Sequence, residues 1–515
     1  MKQCLVVSLG ICYYFRLKKS ERKNYIKEMS TKTENFLDIL KKEMKKFSEA
    51  FYSLNKEIIA KTEALEEILF MLFICIVTTT PIVLVGDPGT SKTLAFQLLK
   101  DRLSEPNIKE LQKNLQEQGI NLKIKPLHVV YFQCTQESKP FGIKERWEQA
   151  QRHSEDKAIK PMLLLDEIGL AERSKHSPLK VLHHLLENPG ISLVALSNRP
   201  LDAAKMNRVI VHQIPNNLKS DIENIANAIL KENTKHTKFS VNEIKLLVRI
   251  FDKLDKSMSK NEQTLPKKDQ TSPKKDQTSP KKDQTSLCKE NWLGRRDFYA
   301  LIRYHMHHPL PKEALEGIMR NLGGCKNENF QKYLTVILKS EIGEGVLELM
   351  NRWGSLKCIE MNLKDEDCRH CLVICNKPYS WQLLLDQNLL PYEDTVFLFE
   401  SKFASDTATM TSYDHLHKVI NCMEAGKKVV LYNLKSIHEC LYDMLNQRYR
   451  KNAQSVHVFV LFYNYIRAHI YYIYTYIEQF CRMAMESRSK ECMVVKQFKC
   501  VVIVSEQDMQ NSVNH

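Results

Sequence analysis

The chain has 515 residues, 43% of them hydrophobic, which predicts two to four globular domains and excludes a disordered or fibrous chain. Its formal net charge of +15 invites a nucleic-acid interpretation, but part of the excess lies in a Pro-Lys-Lys-Asp-Gln-Thr-Ser repeat, and no aromatic-basic recognition motif accompanies it, so no nucleic-acid partner is expected. The 15 cysteines lack the spacing of a secreted disulfide framework, which predicts reduced thiols and a cytoplasmic location.

The first predicted elements are helical. Residues 1–55 read as a charged helical lead-in. Residues 4–15 are apolar but too short to cross a bilayer, and the longer apolar run 68–85 is divided by Pro81. We therefore expect no transmembrane segment; the run is instead a buried helix end followed by a strand.

That strand leads into a glycine-containing loop at residues 86–93, Gly-Asp-Pro-Gly-Thr-Ser-Lys-Thr. Gly86 and Gly89 allow a tight turn, and the loop's backbone N–H groups would point at phosphates. Lys92 would reach the β- and γ-phosphates and Thr93 would ligate Mg²⁺. The loop, Gly86, Asp87, Pro88, Gly89, Thr90, Ser91, Lys92 and Thr93, is thus a predicted ATP site, although Ser91 stands where the usual pattern has glycine and must avoid a positive φ or accept strain.

A second apolar strand at 162–165 ends in two acids, Asp166 and Glu167. Ligands collect at the carboxyl ends of parallel strands. Asp166 would hold the Mg²⁺ shell, and Glu167 would polarise the attacking water. A strand that merely ends in two solvated acids is the alternative, and the upstream phosphate loop makes it less favoured.

The next segments contain three further predictions. Ser177 and Pro178 read as the N-cap and first residue of a helix. A third buried strand, 191–196, is followed by Asn198, whose side chain could touch the γ-phosphate or the water. A short helix then ends at Arg208, which is either a finger for a neighbouring subunit's nucleotide or an ordinary surface arginine.

The remainder divides into a helical segment and a second α/β unit. Residues 216–350 read as a helical lid, interrupted by a linker at 264–287 whose composition predicts disorder. Residues 370–515 read as a partial α/β unit whose strands at 371–374 and 429–432 lack a glycine-rich loop and an Asp-Glu pair; we expect it to pack against the first unit. Residues 455–480 fit neither period and receive no functional prediction. Cys368, Cys371 and Cys375 lack a second pair at zinc spacing, so zinc is not predicted.

Several strings in this order resemble one family: GDPGTSKT (86–93), LLLDEIGLAE (163–172), LSNRPLDAAKMNR (196–208), RDFYALIRY (296–304), MRNLGG (319–324), EAGKKVVLYNLKSIHECLYDMLNQRY (424–449) and VVIVSEQDM (501–509). They are similar to the dynein-like AAA+ core of the mysterin family of giant ring-finger E3 ubiquitin ligases. The resemblance covers most of residues 55–450, and the serine in the phosphate loop belongs to the family pattern.

The resemblance implies an α/β fold: an AAA+ P-loop NTPase at 56–215 with a parallel sheet and a helical lid, followed by a degenerate second AAA-like unit. It makes Lys92 and Thr93 Walker A, Asp166 and Glu167 Walker B, and Asn198 sensor 1. Arg296 falls near the sensor-2 position in the lid, with Arg295 beside it as the other choice. Family members carry six AAA units, so neighbouring units in cis or in trans are implied partners, and the chain is expected to be a fragment, a truncated product or a shortened paralogue.

Four functions remain open at this point. The leading one is ATP hydrolysis that couples nucleotide state to conformational change. The others are a scaffold that binds ATP without turning it over, a nucleic-acid motor suggested only by charge, and ubiquitin transfer, which the family implies but for which no transfer cysteine can be named. The ubiquitin machinery is accordingly a partner by resemblance alone.

Overall fold

The structure is a computed structural model, and it describes residues 2–33, 35–52, 59–215, 219–231, 241–260, 294–307, 311–324, 328–365, 368, 370–375, 379–401, 403, 409–452, 456–459, 472–475, 478–485 and 488–506. The predicted linker at 264–287 lies outside these ranges, as does most of 455–480. Among the described residues, no helix is long and apolar enough to cross a membrane.

Four helices precede the first sheet. The third is amphipathic and buries one stripe, including Leu40 and Met44, against the fourth, which is apolar on almost every side. Thr62 caps the fourth helix by accepting a hydrogen bond from the backbone N–H of Leu65 at 3.2 Å. These helices are α1 (Lys2–Cys12), α2 (Lys19–Lys32), α3 (Phe36–Tyr52) and α4 (Glu63–Val77).

A buried ion pair fixes this lead-in to the sheet. Arg22 of α2 meets Glu67 of α4 through two contacts of 2.9 and 3.0 Å, and both side chains are almost fully buried. Arg22 also donates to the carbonyl oxygen of Gln213 at 3.0 Å, at the end of the sheet's edge strand. The lead-in is therefore bonded to the first sheet through an almost fully buried charge.

The first sheet has five parallel strands in the order β2-β3-β4-β1-β5. Alternate residues face two apolar layers: Ile82 and Leu84 pack toward the lead-in, and Val83 and Val85 pack toward the opposite layer. The strands are β1 (Ile82–Val85), β2 (Leu127–Gln133), β3 (Lys160–Asp166), β4 (Ser192–Ser197) and β5 (Ile210–Gln213), and the helices among them are α5 (Lys92–Arg102), α6 (Ile108–Glu117), α7 (Pro140–Arg152), α8 (Ile168–Ala171), α9 (Leu182–Leu185) and α10 (Ala203–Met206).

The helix predicted to start at Ser177 is wrong in detail. Residues Pro178–Val181 form a 3-10 turn, and only the single turn of α9 follows it. Ser177 has a left-handed φ of 48° and its side chain makes no capping hydrogen bond. The leucines that follow, Leu179 and Leu182, are buried in the apolar layer, so the segment packs as a helix would although its first part is a 3-10 turn.

A helical region with its own apolar core follows the first sheet. Its members alternate apolar and charged faces with helical periodicity, which explains why they pack together rather than onto a sheet. They are α11 (Lys219–Lys231), α12 (Val241–Lys260), α13 (Arg295–His307), α14 (Pro311–Leu322), α15 (Glu328–Ile342), α16 (Val346–Asn351) and α17 (Ser355–Lys364).

The second α/β unit repeats the strand order of the first. Its four-stranded parallel sheet runs β6-β14-β8-β7, so β6, β14, β8 and β7 take the places of β1, β4, β3 and β2. Asn433 follows β8 with φ 51°, as Glu167 follows β3 with φ 52°. Among the described residues no strand pairs with the outer edge of β6. The elements are β6 (Cys371–Cys375), α18 (Ser380–Asp386), β7 (Thr395–Phe399), α19 (Thr409–Ala425), β8 (Lys428–Tyr432), α20 (Lys435–His438), α21 (Tyr442–Leu445), β9 (Arg450–Asn452), β10 (Val456–Phe459), β11 (Tyr472–Thr475), β12 (Glu478–Met485), β13 (Arg488–Val494) and β14 (Lys499–Ser505).

Candidate nucleotide-binding site

The phosphate loop connects β1 to α5 and has no room for side chains at its glycines. A Cβ on Gly86 would lie 2.9 Å from the Cβ of Ile214, and one on Gly89 would lie 3.1 Å from the Cβ of Arg295. Gly89 also has a positive φ of 84°. Ser91 also has a left-handed backbone conformation, with φ 63°. Of the two alternatives that the sequence left open for this serine, the structure therefore has the strained backbone, at a typical cost of about 1–3 kcal/mol.

Lys92 folds back onto the loop that it follows. Its ammonium group donates to the carbonyl oxygens of Gly86 and Asp87, the latter at 3.0 Å. Burial lowers the pKa of Lys92 to about 8. The loop thus satisfies the lysine with its own carbonyl groups, contacts that a phosphate can replace with stronger, charge-assisted ones.

The two acids stand at the end of β3 and are nearly inaccessible, with 2% of Asp166 and 5% of Glu167 exposed. Asp166 accepts from the backbone N–H of Glu167 at 2.9 Å on one oxygen and from the Tyr131 hydroxyl at 2.8 Å on the other. Asn198, at the tip of β4, donates to Oε2 of Glu167 at 2.7 Å. Burial, followed by the Asp166 charge, raises the pKa of Glu167. The structure therefore brings together the predicted Walker B and sensor residues.

The second unit contributes side chains to this site that sequence reasoning missed. Arg448 places Nη1 2.6 Å from Oδ2 of Asp166 and Nη2 3.5 Å from Oε1 of Glu167. The Tyr442 hydroxyl donates to Oε1 of Glu167. Both residues lie in the string 424–449, which shows only a family resemblance. No local pattern marks Arg448 or Tyr442 as part of this site, although they contact acids that lie 282 and 275 positions earlier in the chain.

The helical region closes the third side of the site. Tyr299 of α13 donates to the carbonyl oxygen of Gly89 at 3.3 Å, and Arg296 of the same helix donates to the Oδ1 of Asn446 in the second unit. A cavity of about 510 Å³ lies between these elements, and it is lined by Gly89, Thr90, Ser91, Lys92, Thr93, Leu94, Gln97, Asn198, Arg296, Tyr299, Arg303, Asn446, Gln447, Arg448, Tyr449, Gln479, Val494, Val495, Lys496 and Phe498. Of the two lid arginines, Arg296 is the one in this lining.

Arg208 lies elsewhere. It is not among the residues that line the cavity, and its guanidinium donates to the carbonyl oxygen of His183 at 2.7 Å. A finger role for Arg208 toward another subunit's nucleotide therefore stays a prediction. Among the described residues, the second unit's arginine at the predicted Walker B acids is Arg448.

The residue types around the cavity suit a nucleoside triphosphate, and Asp166, which pairs with Arg448 and lies outside the cavity lining, would have to be released from Arg448 to hold Mg²⁺. The cavity volume is within the range typical of small-ligand sites. Lys92, Arg296 and Arg448 supply positive charge for phosphates, while the hydroxyl of Thr93 and the carboxylate of Asp166 are the oxygen ligands that Mg²⁺ prefers. In the described ranges, no group of three or more His, Cys, Asp or Glu side chains is placed so that it could hold a metal ion by itself. The sulfur of Cys368 instead accepts a hydrogen bond from Nδ2 of Asn362 at 3.0 Å.

Comparison with known proteins gives one family for both units. The family model described as "RNF213 AAA domain" matches in two versions, one over residues 58–221 and the other over residues 360–514. The chain is 27% identical to the E3 ubiquitin-protein ligase rnf213-beta of Danio rerio over 97% of its own length and 9% of that protein. It is 27% identical to the E3 ubiquitin-protein ligase RNF213 of Homo sapiens over 86% of its length and 8% of that protein.

Similar solved structures include a single-residue variant of RuvB from Thermotoga maritima, with 11% identity, a TM-score of 0.24 and coverage of 38% of this chain and 62% of that one. Another is C. elegans PCH-2, with 16% identity, a TM-score of 0.26 and coverage of 40% and 62%. The chain thus spans about a tenth of the length of the curated relatives that it matches.

Proposed function

Because this chain is of the RNF213, or mysterin, type and carries two AAA units, we propose that its first unit binds Mg²⁺–ATP and hydrolyses it. The observation that carries the proposal is the convergence of Lys92, Glu167 and Asn198 at one edge of the sheet, where the residues that line the cavity come from three parts of the chain. Phosphoryl transfer needs mainly positioning and charge compensation, and such an edge supplies both.

Each residue has a definite task in this proposal. The loop amides at 86–93 and Lys92 hold the β- and γ-phosphates, and Thr93 with Asp166 holds the metal. When bound, Mg²⁺ would neutralise charge on the phosphate oxygens. Glu167 orients the attacking water and accepts its proton, and Asn198 keeps the carboxylate of Glu167 in place through its 2.7 Å contact.

Two arginines would complete the compensation of charge. Arg296 reaches the cavity from the helical region, and Arg448 reaches it from the second unit. An arginine supplied by a neighbouring unit is worth roughly 10³–10⁵ in kcat in related phosphoryl-transfer sites. We accordingly assign the intramolecular charge-compensating role to Arg448, and the second unit is the neighbouring unit in cis.

A scaffold that binds ATP without hydrolysis is the second candidate. It is favoured by the burial of Asp166 and Glu167 beneath Tyr442 and Arg448, which leaves neither acid among the residues that line the cavity. The ubiquitin machinery is proposed as a partner from the named activity of the relatives, of which this chain spans only a small part, and a cytoplasmic location is proposed from the cysteine pattern.

ATP turnover and ATP retention by the purified chain decide between the two candidates. An ATPase loses turnover in both Lys92→Ala and Glu167→Gln, and Glu167→Gln retains ATP. A scaffold binds Mg²⁺–ATP without turnover, loses that binding in Lys92→Ala and is unchanged in Glu167→Gln. If the wild-type chain and Glu167→Gln both bind no ATP at millimolar concentration, the site assignment is wrong.

A further inference from the structure

Side chains of the second unit contact both predicted Walker B acids, Asp166 and Glu167, and the proposed reaction does not use these contacts. Oδ2 of Asp166 accepts two hydrogen bonds, one from the Tyr131 hydroxyl at 2.8 Å and one from the guanidinium of Arg448 at 2.6 Å. Oε1 of Glu167 accepts from the Tyr442 hydroxyl, while its Oε2 accepts from Asn198. Every carboxylate oxygen of the pair therefore has a protein donor before any ligand binds.

The two donors from the second unit belong to one compact segment. Tyr442 begins α21, and Arg448 lies in the turn after it, with its guanidinium carbon 4.8 Å from the centre of the Tyr442 ring. Arg448 also meets Asp443 at 3.3 Å, and its backbone N–H bonds to the carbonyl oxygen of Asp443 at 2.9 Å. Met444 anchors the segment in the second unit's core. We call Tyr442 and Arg448 together the acid clamp.

The acid clamp and a bound metal compete for the same oxygen atoms. A guanidinium 2.6 Å from Asp166 leaves no space for a divalent cation or its water at that oxygen, and two cations at such a distance repel each other strongly where water is excluded. Asp166 is 2% exposed, so solvent cannot screen this repulsion.

We propose that Arg448 is a counter-ion of Asp166 that Mg²⁺–ATP must displace, so that nucleotide binding breaks the contact of the second unit with the Walker B acids. This inference rests on the proposed function, because it assumes that ATP binds at this site. Arg448 leaves the carboxylate and turns toward the cavity that it already lines. Tyr442 on the same segment loses its bond to Glu167, which frees Oε1 for water. Nucleotide state and the packing of the two units are thereby coupled by mutual exclusion.

The first test is the ratio of ATP affinity in Mg²⁺ to ATP affinity in EDTA, measured with a fluorescent ATP analogue on the full chain. A phosphate contact that Arg448 makes equally with and without the metal cancels in this ratio. Arg448→Gln removes the competing charge and is expected to raise the ratio about fivefold or more. Arg482→Gln is the matched control, because Arg482 lies at the same interface, 3.9 Å from the centre of the Tyr131 ring, and bonds to neither acid. It should leave the ratio unchanged.

The second test is hydrogen–deuterium exchange in peptides that cover 440–449. Exchange should rise when wild-type protein binds Mg²⁺–ATP and stay constant with ATP in EDTA. A ratio that falls or stays constant in Arg448→Gln, or exchange that does not respond to Mg²⁺–ATP, overturns the displacement. Loss of all ATP binding in wild type and Arg448→Gln would instead refute the proposed function together with this inference, whereas intact binding with an unchanged ratio refutes only the inference.

Discussion

Tyr442→Phe removes one hydroxyl from the acid clamp and leaves the aromatic ring beside Arg448. The lost bond is a hydrogen bond to a buried carboxylate, Oε1 of Glu167, and burial followed by the charge of Glu167 raises the pKa of Tyr442 to about 12. Hydrogen bonds to charged groups contribute about 1.5–3 kcal/mol, which corresponds to about 10- to 150-fold in the equilibrium between held and free Glu167. Because binding of Mg²⁺–ATP has to break this bond, we expect its removal to lower the KM for ATP by at most this factor.

Steady-state ATP hydrolysis measures this prediction. The kcat should change little, because the bond is already broken in the Mg²⁺–ATP complex and Tyr442 is not among the residues that line the cavity. The control is Tyr392→Phe, which removes a hydroxyl from a second-unit side chain that is 76% exposed and does not line the cavity. A fall in kcat for Tyr442→Phe, with Tyr392→Phe unchanged, would show that the hydroxyl positions Glu167 for catalysis and would refute the reasoning.

Three other predictions concern the lead-in and the phosphate loop. Arg22→Met leaves Glu67 buried without its partner and should lower the free energy of unfolding by about 3–5 kcal/mol in urea titrations. Arg352→Met, at an exposed ion pair, should lower it by less than about 1 kcal/mol. Equal effects of the two substitutions would contradict the burial argument. Ser91→Gly relieves the positive φ and should stabilise the nucleotide-free chain by about 1 kcal/mol in the same titration, and a loss of stability would show that the serine side chain compensates its strain. Burial lowers the pKa of Lys92 from 10.5 to about 8, so the lysine loses its charge at lower pH in the folded chain than in the unfolded chain. ATP affinity should therefore fall as pH rises through 8, while the stability of the nucleotide-free chain rises between pH 8 and 10.5. Calorimetric titration of ATP should find a flatter dependence of affinity on pH in Lys92→Arg.

The sequence predicted where the candidate site residues of the first sheet lie, because they stand at the ends of strands. Buried parallel strands are continuous apolar runs, and Asp166 and Asn198 follow two such runs directly. Since parallel strands end at one edge, the contact between Asn198 and Glu167 follows from the order of the elements. The fold class, an α/β AAA+ unit with a parallel sheet followed by a second AAA-like unit, is confirmed by the two strand orders and the two family matches.

The contribution of the second unit was not predictable from local pattern. Arg448 follows a one-turn helix, and neither hydropathy nor spacing distinguishes it from a surface arginine. Its proposed role depends on a contact across 282 residues, between the segment after α21 and the end of β3. The sequence instead drew attention to Arg208, because that residue ends a helix inside the recognised domain, and the structure bonds Arg208 to His183.

A unit that lacks ATP-binding groups still needs its fold if it serves its neighbour. The position after β8 in the second unit corresponds to the position after β3 in the first unit. The first unit has Glu167 at this position, and the second unit has Asn433 with a nearly equal positive φ. The chain then continues through α20 and α21 to Tyr442 and Arg448, so the strand that has no catalytic acid of its own leads to the segment that contacts the acids of the first unit. Removing this unit would take away both the charge that compensates phosphate and the hydroxyl that restrains Glu167. Substitutions in its core, such as at Met444, should therefore alter ATP turnover at a site that they do not touch.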